Sequence, residues 1–347
     1  MALRILVASY TSSISTIEFD ASKKTLTTVS SVEVGERPSW ITPHPKEKSL
    51  IFAGLEQTEG SVVSVKYDAL DGAVVGKVTT GGRDPCSLLA TEDELFVANY
   101  SSGSLSIFEI SASQPYLRSG PAITQLEGKG PNADRQEGPH AHHVVLTDDG
   151  ELLVADLGSD RIARFVKKDK EWVIEGFVNY TPGGGPRHVA IHDGYLYTLL
   201  ELTSTLSKHR FPALPAEPTF LVEKPTMSNP PTPPHDMLAA ELLIPKPNAS
   251  FPTAYAYISN RNDPHPEGDT IAIFAIEGEG LELIAEVHTG LNHLRAIVFG
   301  GPDDKWLVAG GANGGGVKIF ERVDGGKGLK EVAANGSVES PTGFLWI

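Results

Sequence analysis

LFVANYSSGSLSIFEI, residues 95–110, reads as an apolar strand, a short polar turn and a second strand that alternates apolar with polar residues. The same pattern stands in LVASYTSSISTIEF (6–19), IFAGLEQTEGSVVSVKY (51–67) and LLVADLGSDRIARFV (152–166). It returns in LYTLLELTSTLSKHRF (196–211), AYISNRNDPHPEGDTIAIFAI (256–276) and WLVAGGANGGGVKIFERV (306–323). Aligned on Ala8, Ala53, Ala98, Ala155, Leu200, Ser259 and Ala309, the seven copies lie 45, 45, 57, 45, 59 and 50 residues apart. The longest intervals hold loop-like inserts, 115–138 and 212–234. The second is dense in proline and reads as a surface loop of polyproline character.

Ahead of most copies lies another strand that ends in a turn: GERPSWITPHP, GRDPCSLLA, GPHAHHVVLTDDG, GGPRHVAIHDG and LNHLRAIVFGGPDD. Each unit therefore supplies about four strands, and seven such units predict a β-propeller. The expectation is an all-β, seven-bladed ring of antiparallel blades occupying 1–347 as one domain. The first copy lacks its preceding strand. VESPTGFLWI (338–347) supplies it, with Pro341 matching Pro38 and Pro186. The C-terminal strand should thus complete the N-terminal blade and leave no free edge.

Composition agrees and excludes several function classes. The 35 Gly and 25 Pro in 347 residues suit many short strands and turns. With 29 Lys and Arg against 44 Asp and Glu, the net charge of -15 argues against nucleic acid or an anionic membrane as partner. The single cysteine, Cys86, excludes an internal disulfide and a cysteine-based zinc site. The first apolar run is short and reads as a strand, and no run approaches the ~20 residues of a membrane span. A cytoplasmic protein is expected. Oligomeric state is not legible.

In a propeller the pre-anchor strand lies innermost, so equivalent positions on it form a ring. Counting back from the turns aligns His142, Arg187 and Arg295 with Ser39, Cys86, Thr342 and Ala240. A position meant only for packing would be apolar; this one is mostly polar or charged. A second ring follows the anchor strand with Asn99, Asp156, Glu201 and Asn260, then Arg261. Asn or Asp there suits a turn cap. Glu201 does not, and is singled out as functional. Arg187, Arg261 and Arg295 also admit a plainer role as braces that bond backbone carbonyls, and His140 and His143 admit packing between blades. His140 and His142 should share a face, with His143 pointing away. No third metal ligand is evident beside them. Neither a G-x-S-x-G elbow nor a P-loop or G-x-G-x-x-G occurs, so serine-triad and nucleotide chemistry lack support.

GPHAHHVVLTDDGELLVADLGSDRI (138–162), GGGPRHVAIHDG (183–194) with LLELTST (199–205), and YISNRN (257–262) with DTIAIFAI (269–276) resemble the seven-bladed lactonase family. That family holds the propeller-type 6-phosphogluconolactonases and the fungal 3-carboxy-cis,cis-muconate lactonising enzymes. The resemblance runs through nearly the whole chain. It implies that His142 is the inner-strand histidine, Arg187 the G-P-R-H arginine, Glu201 the turn glutamate and Arg261 the S-N-R arginine. Arg295 matches a further arginine, although Leu294 and Ala296 replace the family's proline and asparagine. Members of the family's muconate-lactonising branch are metal-free, which fits the missing third ligand, and neither opening nor closing a lactone needs a cofactor.

The reading that results is an enzyme that opens or closes a lactone of a small anionic substrate. His142 and Glu201 are the expected catalytic acid–base pair, with Arg187, Arg261, Arg295 and His140 binding the substrate. Hydrolysis and cycloisomerisation stay open. The alternative is a non-catalytic propeller that binds a partner, although the G-H…W-D signature of such scaffolds is missing.

Overall fold

The fold is taken from a computed structural model that describes residues 2–118, 120–231 and 237–347. The last part of the proline-rich insert, 232–234, lies outside the described residues. Seven four-stranded antiparallel sheets make up the ring, as the repeats predict. Blades II to VII run in chain order from residues 38, 85, 141, 186, 242 and 292. Blade I combines residues 3–33 with the strand Pro341–Trp346, which pairs antiparallel to Leu3–Ser9.

The apolar interior is divided into seven wedges, one between each pair of neighbouring sheets. The first strand shows why its sequence is apolar almost throughout. Ile5 and Val7 face Val308 and Ile319 of blade VII, while Leu6 and Ala8 face Ile51 and Val63 of blade II. A strand covered on both faces reads as a continuous hydrophobic run rather than an alternation.

The inner strands carry a repeated device. Register slips by one residue at Ser39, Cys86, His142, Arg187 and Thr342, each of which is the extra residue of a β-bulge. Arg295 stands at the same kind of slip in blade VII, and in blade VI both Ala240 and Glu241 bond the backbone of Ser259. In six of the seven blades the residue two places earlier has positive φ: Arg37, Asp84, Gly185, Leu238, His293 and Ser340. Five of these six are not glycine, so the turn is held against its intrinsic preference. Together, the left-handed turn and the bulge re-aim one side chain per blade toward the axis.

The bulge also breaks the alternation expected around His142. His143, expected to point away, stacks on His188 with centroids 4.3 Å apart, and Trp40 lies against both rings. A further ring, one residue past the first, thus brings Trp40, His143, His188 and Glu241 together. His188 Nδ1 meets Glu241 Oε1 at 2.6 Å.

Candidate active site

At one mouth of the ring a cavity of about 250 Å³ is lined by Glu56, Cys86, Tyr100, Arg135, His142, Arg187, Glu201, Arg261 and Arg295. It contains four guanidinium groups and two carboxylates, an excess of two positive charges within a protein of net charge -15. Local field, not total charge, decides what such a cleft attracts.

Glu201 is the hub. Arg187 Nε and Arg261 Nη2 approach its Oε2 at 2.7 and 2.8 Å, as ion pairs whose N–H groups are not in line for hydrogen bonds. Arg135 Nη2 donates to Oε1 at 2.5 Å. Burial alone would raise the Glu201 carboxyl; Arg261, Arg187 and Arg135 overcome that and hold it far below the usual carboxylate range. Arg187 also donates to the carbonyl of Ala240, and Arg261 Nε donates to that of Leu238 at 2.7 Å. The brace role and the charged role therefore coexist in the same side chains.

His142 is buried, and its Nδ1 has no hydrogen-bond partner. Tyr100 stands edge-on to it at 5.8 Å and His188 lies at 5.3 Å. Burial, reinforced by Arg187, His188, Arg295 and Arg261, lowers its pKa well below the ordinary imidazole value. The ring is thus a neutral base at pH 7. On the far wall Arg295 donates to Glu56 at 3.0 Å, and Tyr10 donates to the same carboxylate at 3.1 Å. The guanidinium groups of Arg37 and Arg295 lie 4.7 and 5.1 Å from the Tyr10 ring centre.

Five of the six residues expected from the sequence line this cavity: His142, Glu201, Arg187, Arg261 and Arg295. His140 does not. It stacks on Tyr100 at 4.5 Å, and its ring nitrogens bond Tyr100 O and Glu137, so it backs the tyrosine from behind. Asp156 caps its turn, accepting from the backbone of His140, Gly158 and Ser159. Cys86 lines the cavity, but its thiol points at the carbonyls of Ala141 and His142, and burial pushes it up to about 12. Among the described residues, the one group of three side chains with metal-ligand atoms close together is His265, Glu267 and His288. It is exposed and outside the cavity.

Sequence reasoning missed Arg135, Glu56, Tyr100 and Tyr10. Tyr10 and Tyr100, like Arg261, stand two residues beyond their anchors, and Glu56 three beyond. That periodic signal was available. Arg135 sits in an insert that no other blade repeats, and carried none.

The sequence profile described as "Lactonase, 7-bladed beta-propeller" matches residues 4–346. The chain belongs to that lactonase family. Among similar proteins, the 6-phosphogluconolactonase of Bacillus subtilis is 28% identical, the match covering 88% of this chain and 86% of the relative. A probable 6-phosphogluconolactonase of Arthroderma benhamiae is 27% identical over 98% of this chain and 88% of its own. Solved structures agree in fold. A putative 6-phosphogluconolactonase of Bacteroides fragilis superposes with a TM-score of 0.87 at 23% identity, covering 100% of this chain and 98% of the other. A periplasmic gluconolactonase of Pseudomonas aeruginosa gives 0.82 at 20%, covering 100% and 99%. The protein is thus a lactonase rather than a non-catalytic scaffold. No helix among its described residues is long and apolar enough to cross a membrane.

Proposed function

We propose that this lactonase hydrolyses a small sugar-acid lactone carrying an anionic group, with His142 as general base. One observation carries the reading: a neutral imidazole whose Nδ1 has no hydrogen-bond partner stands in a cavity with an excess of guanidinium charge. Lactonase family membership and relatives named 6-phosphogluconolactonase support the substrate class. Water attacks the lactone carbonyl carbon while His142 takes one of its protons. The carbonyl oxygen becomes an oxyanion next to Arg187 and Arg261, whose charge stabilises it. Collapse breaks the ring C–O bond, and His142 returns the proton to the leaving oxygen. Water is consumed, and a carboxylic acid and a hydroxyl result, the acid then releasing its proton to solvent to leave a carboxylate, with no electron transferred.

This changes the part assigned to Glu201. Both Glu201 oxygens are already taken up by three guanidinium groups, so in this state it positions the arginines instead. The direct test is a panel of an uncharged aldonolactone, phosphogluconolactone and 3-carboxymuconate, each assayed with and without EDTA. Hydrolysis of the phosphorylated lactone, lost in His142→Ala, is expected. Cyclisation of the carboxymuconate with no lactone hydrolysis would overturn the reading.

A further inference from the structure

The three arginines on Glu201 are not equivalent. Arg187 and Arg261 are buried, and each is also anchored to a backbone carbonyl of the segment 238–240. Arg135 has 34% of its side chain exposed, and its described contacts are Glu201 Oε1 and, at 3.4 Å, the Tyr100 hydroxyl. No backbone carbonyl holds its guanidinium among the described residues.

Its backbone, by contrast, is fixed. Asn132 accepts from the backbone N–H of Arg135 and Gln136, through side chain and carbonyl respectively. The next side chain, Gln136, is buried and donates to Leu157 O at 2.9 Å and Asp160 at 2.7 Å. The loop thus fixes the Arg135 backbone at the mouth, while Glu201 and Tyr100 alone hold its guanidinium among the described residues. The two oxygens of Glu201 divide accordingly: Oε2 faces the two anchored arginines, and Oε1 is held by Arg135.

From this asymmetry we infer that Arg135 is a specificity-determining residue: it leaves Glu201 to grip the anionic group of the incoming lactone. Of the three arginines on Glu201, an arriving anion competes best for the one that no backbone carbonyl holds and that is already in contact with water. Its transfer uncovers Oε1 beside the two buried arginines, so recognition at the mouth reshapes the interior. An uncharged lactone cannot draw Arg135 away, and it meets the closed arrangement. The inference rests on the lactone-hydrolase reading for its substrate, but the capture of an anion by Arg135 can be measured without turnover.

The experiment has two arms. Calorimetry compares 6-phosphogluconate with gluconate on the wild type, Arg135→Ala and Arg135→Lys. Kinetics compares a six-membered sugar lactone with its 6-phosphate on the same three proteins. Loss of one charge-assisted contact should weaken phosphogluconate binding roughly 10- to 100-fold in Arg135→Ala. The ratio of kcat/KM for phosphorylated over uncharged lactone should fall by a similar factor, through KM, with partial recovery in Arg135→Lys. A merely structural Arg135 would depress both lactones alike and lower Tm, which would overturn the inference. Phosphogluconate affinity unchanged in Arg135→Ala would also overturn it. Arg135-dependent binding in a protein that hydrolyses neither lactone would sustain the inference while removing the hydrolase reading.

Discussion

Replacing Glu201 with glutamine should first be felt as instability. The amide keeps the shape but presents one acceptor and a donor group to three guanidinium groups. Removing one partner of a buried charge cluster costs about 3–5 kcal/mol, because the remaining charges are left uncompensated. Arg187 and Arg261 set that cost, since both are buried; Arg135 adds little because water screens it. At an unfolding entropy of ~2.1 cal/mol/K per residue over 347 residues, the loss is a fall in Tm of about 4–7 °C. An anion that takes the vacated place should restore part of it. At ~100 times its Kd such a ligand returns about 2.7 kcal/mol, or roughly 4 °C here. The assay is a thermal melt of wild type and Glu201→Gln across a sulfate or phosphate series. The variant should melt lower in the absence of anion and gain more from it than the wild type does. A variant that melts with the wild type, or responds no more strongly to anions, would refute the counter-ion role.

Other outcomes follow from the same geometry. With His142 as a base whose pKa is lowered by burial and by Arg187, His188, Arg295 and Arg261, kcat/KM should stay level from pH 8 to below 6.5. It should then fall as the imidazole protonates; an acid limb near 6.5 in the wild type would count against His142. Burial pushes the Glu241 carboxyl up to about 7, so near neutrality it is partly protonated, with its Oε1 2.6 Å from His188 Nδ1. A folded-state pKa above the unfolded value of 4.5 means that this group's stability contribution is lost as pH rises through 7. Glu241→Gln removes the titrating group and should therefore gain in Tm relative to wild type at pH 8 compared with pH 5. The opposite trend would indicate an ionised pair. Cys86, with its thiol near 12, should resist iodoacetamide at pH 8 in the folded protein, and rapid inactivation would revive a thiolate mechanism.

The ring was legible because each blade repeats one strand–turn–strand pattern, and because Pro341 in the last segment matches Pro38 and Pro186. The inner-ring site was legible for the same reason: a repeated position that is His142, Arg187 or Arg295 in three blades is hard to explain by packing. Bulges were not legible, since a one-residue slip leaves no mark on composition. They are what sets His143 against His188 and Trp40, outside the cavity that His142 lines. The charge state of Glu201 was also beyond reach. It depends on Arg187 from the same blade, Arg261 from the next, and Arg135 from an insert with no counterpart elsewhere. His140 was misplaced because shared strand phase with His142 ignores Tyr100, which stands between it and the cavity.

The pairing of Pro341–Trp346 with Leu3–Ser9 sets a clock on biosynthesis. The first strand leaves the ribosome about 330 residues before its inner partner. At ~5–20 residues per second that interval is roughly 15 s to a minute. Throughout it, the backbone edge of Leu3–Ser9 is unpaired, and Ile5 and Val7 lack the blade VII side chains that later cover them. An open apolar edge of this kind pairs readily with a neighbouring nascent chain. Yield in a cell should therefore depend on ribosome spacing, translation speed and holdase supply more than on the melting point of the finished ring.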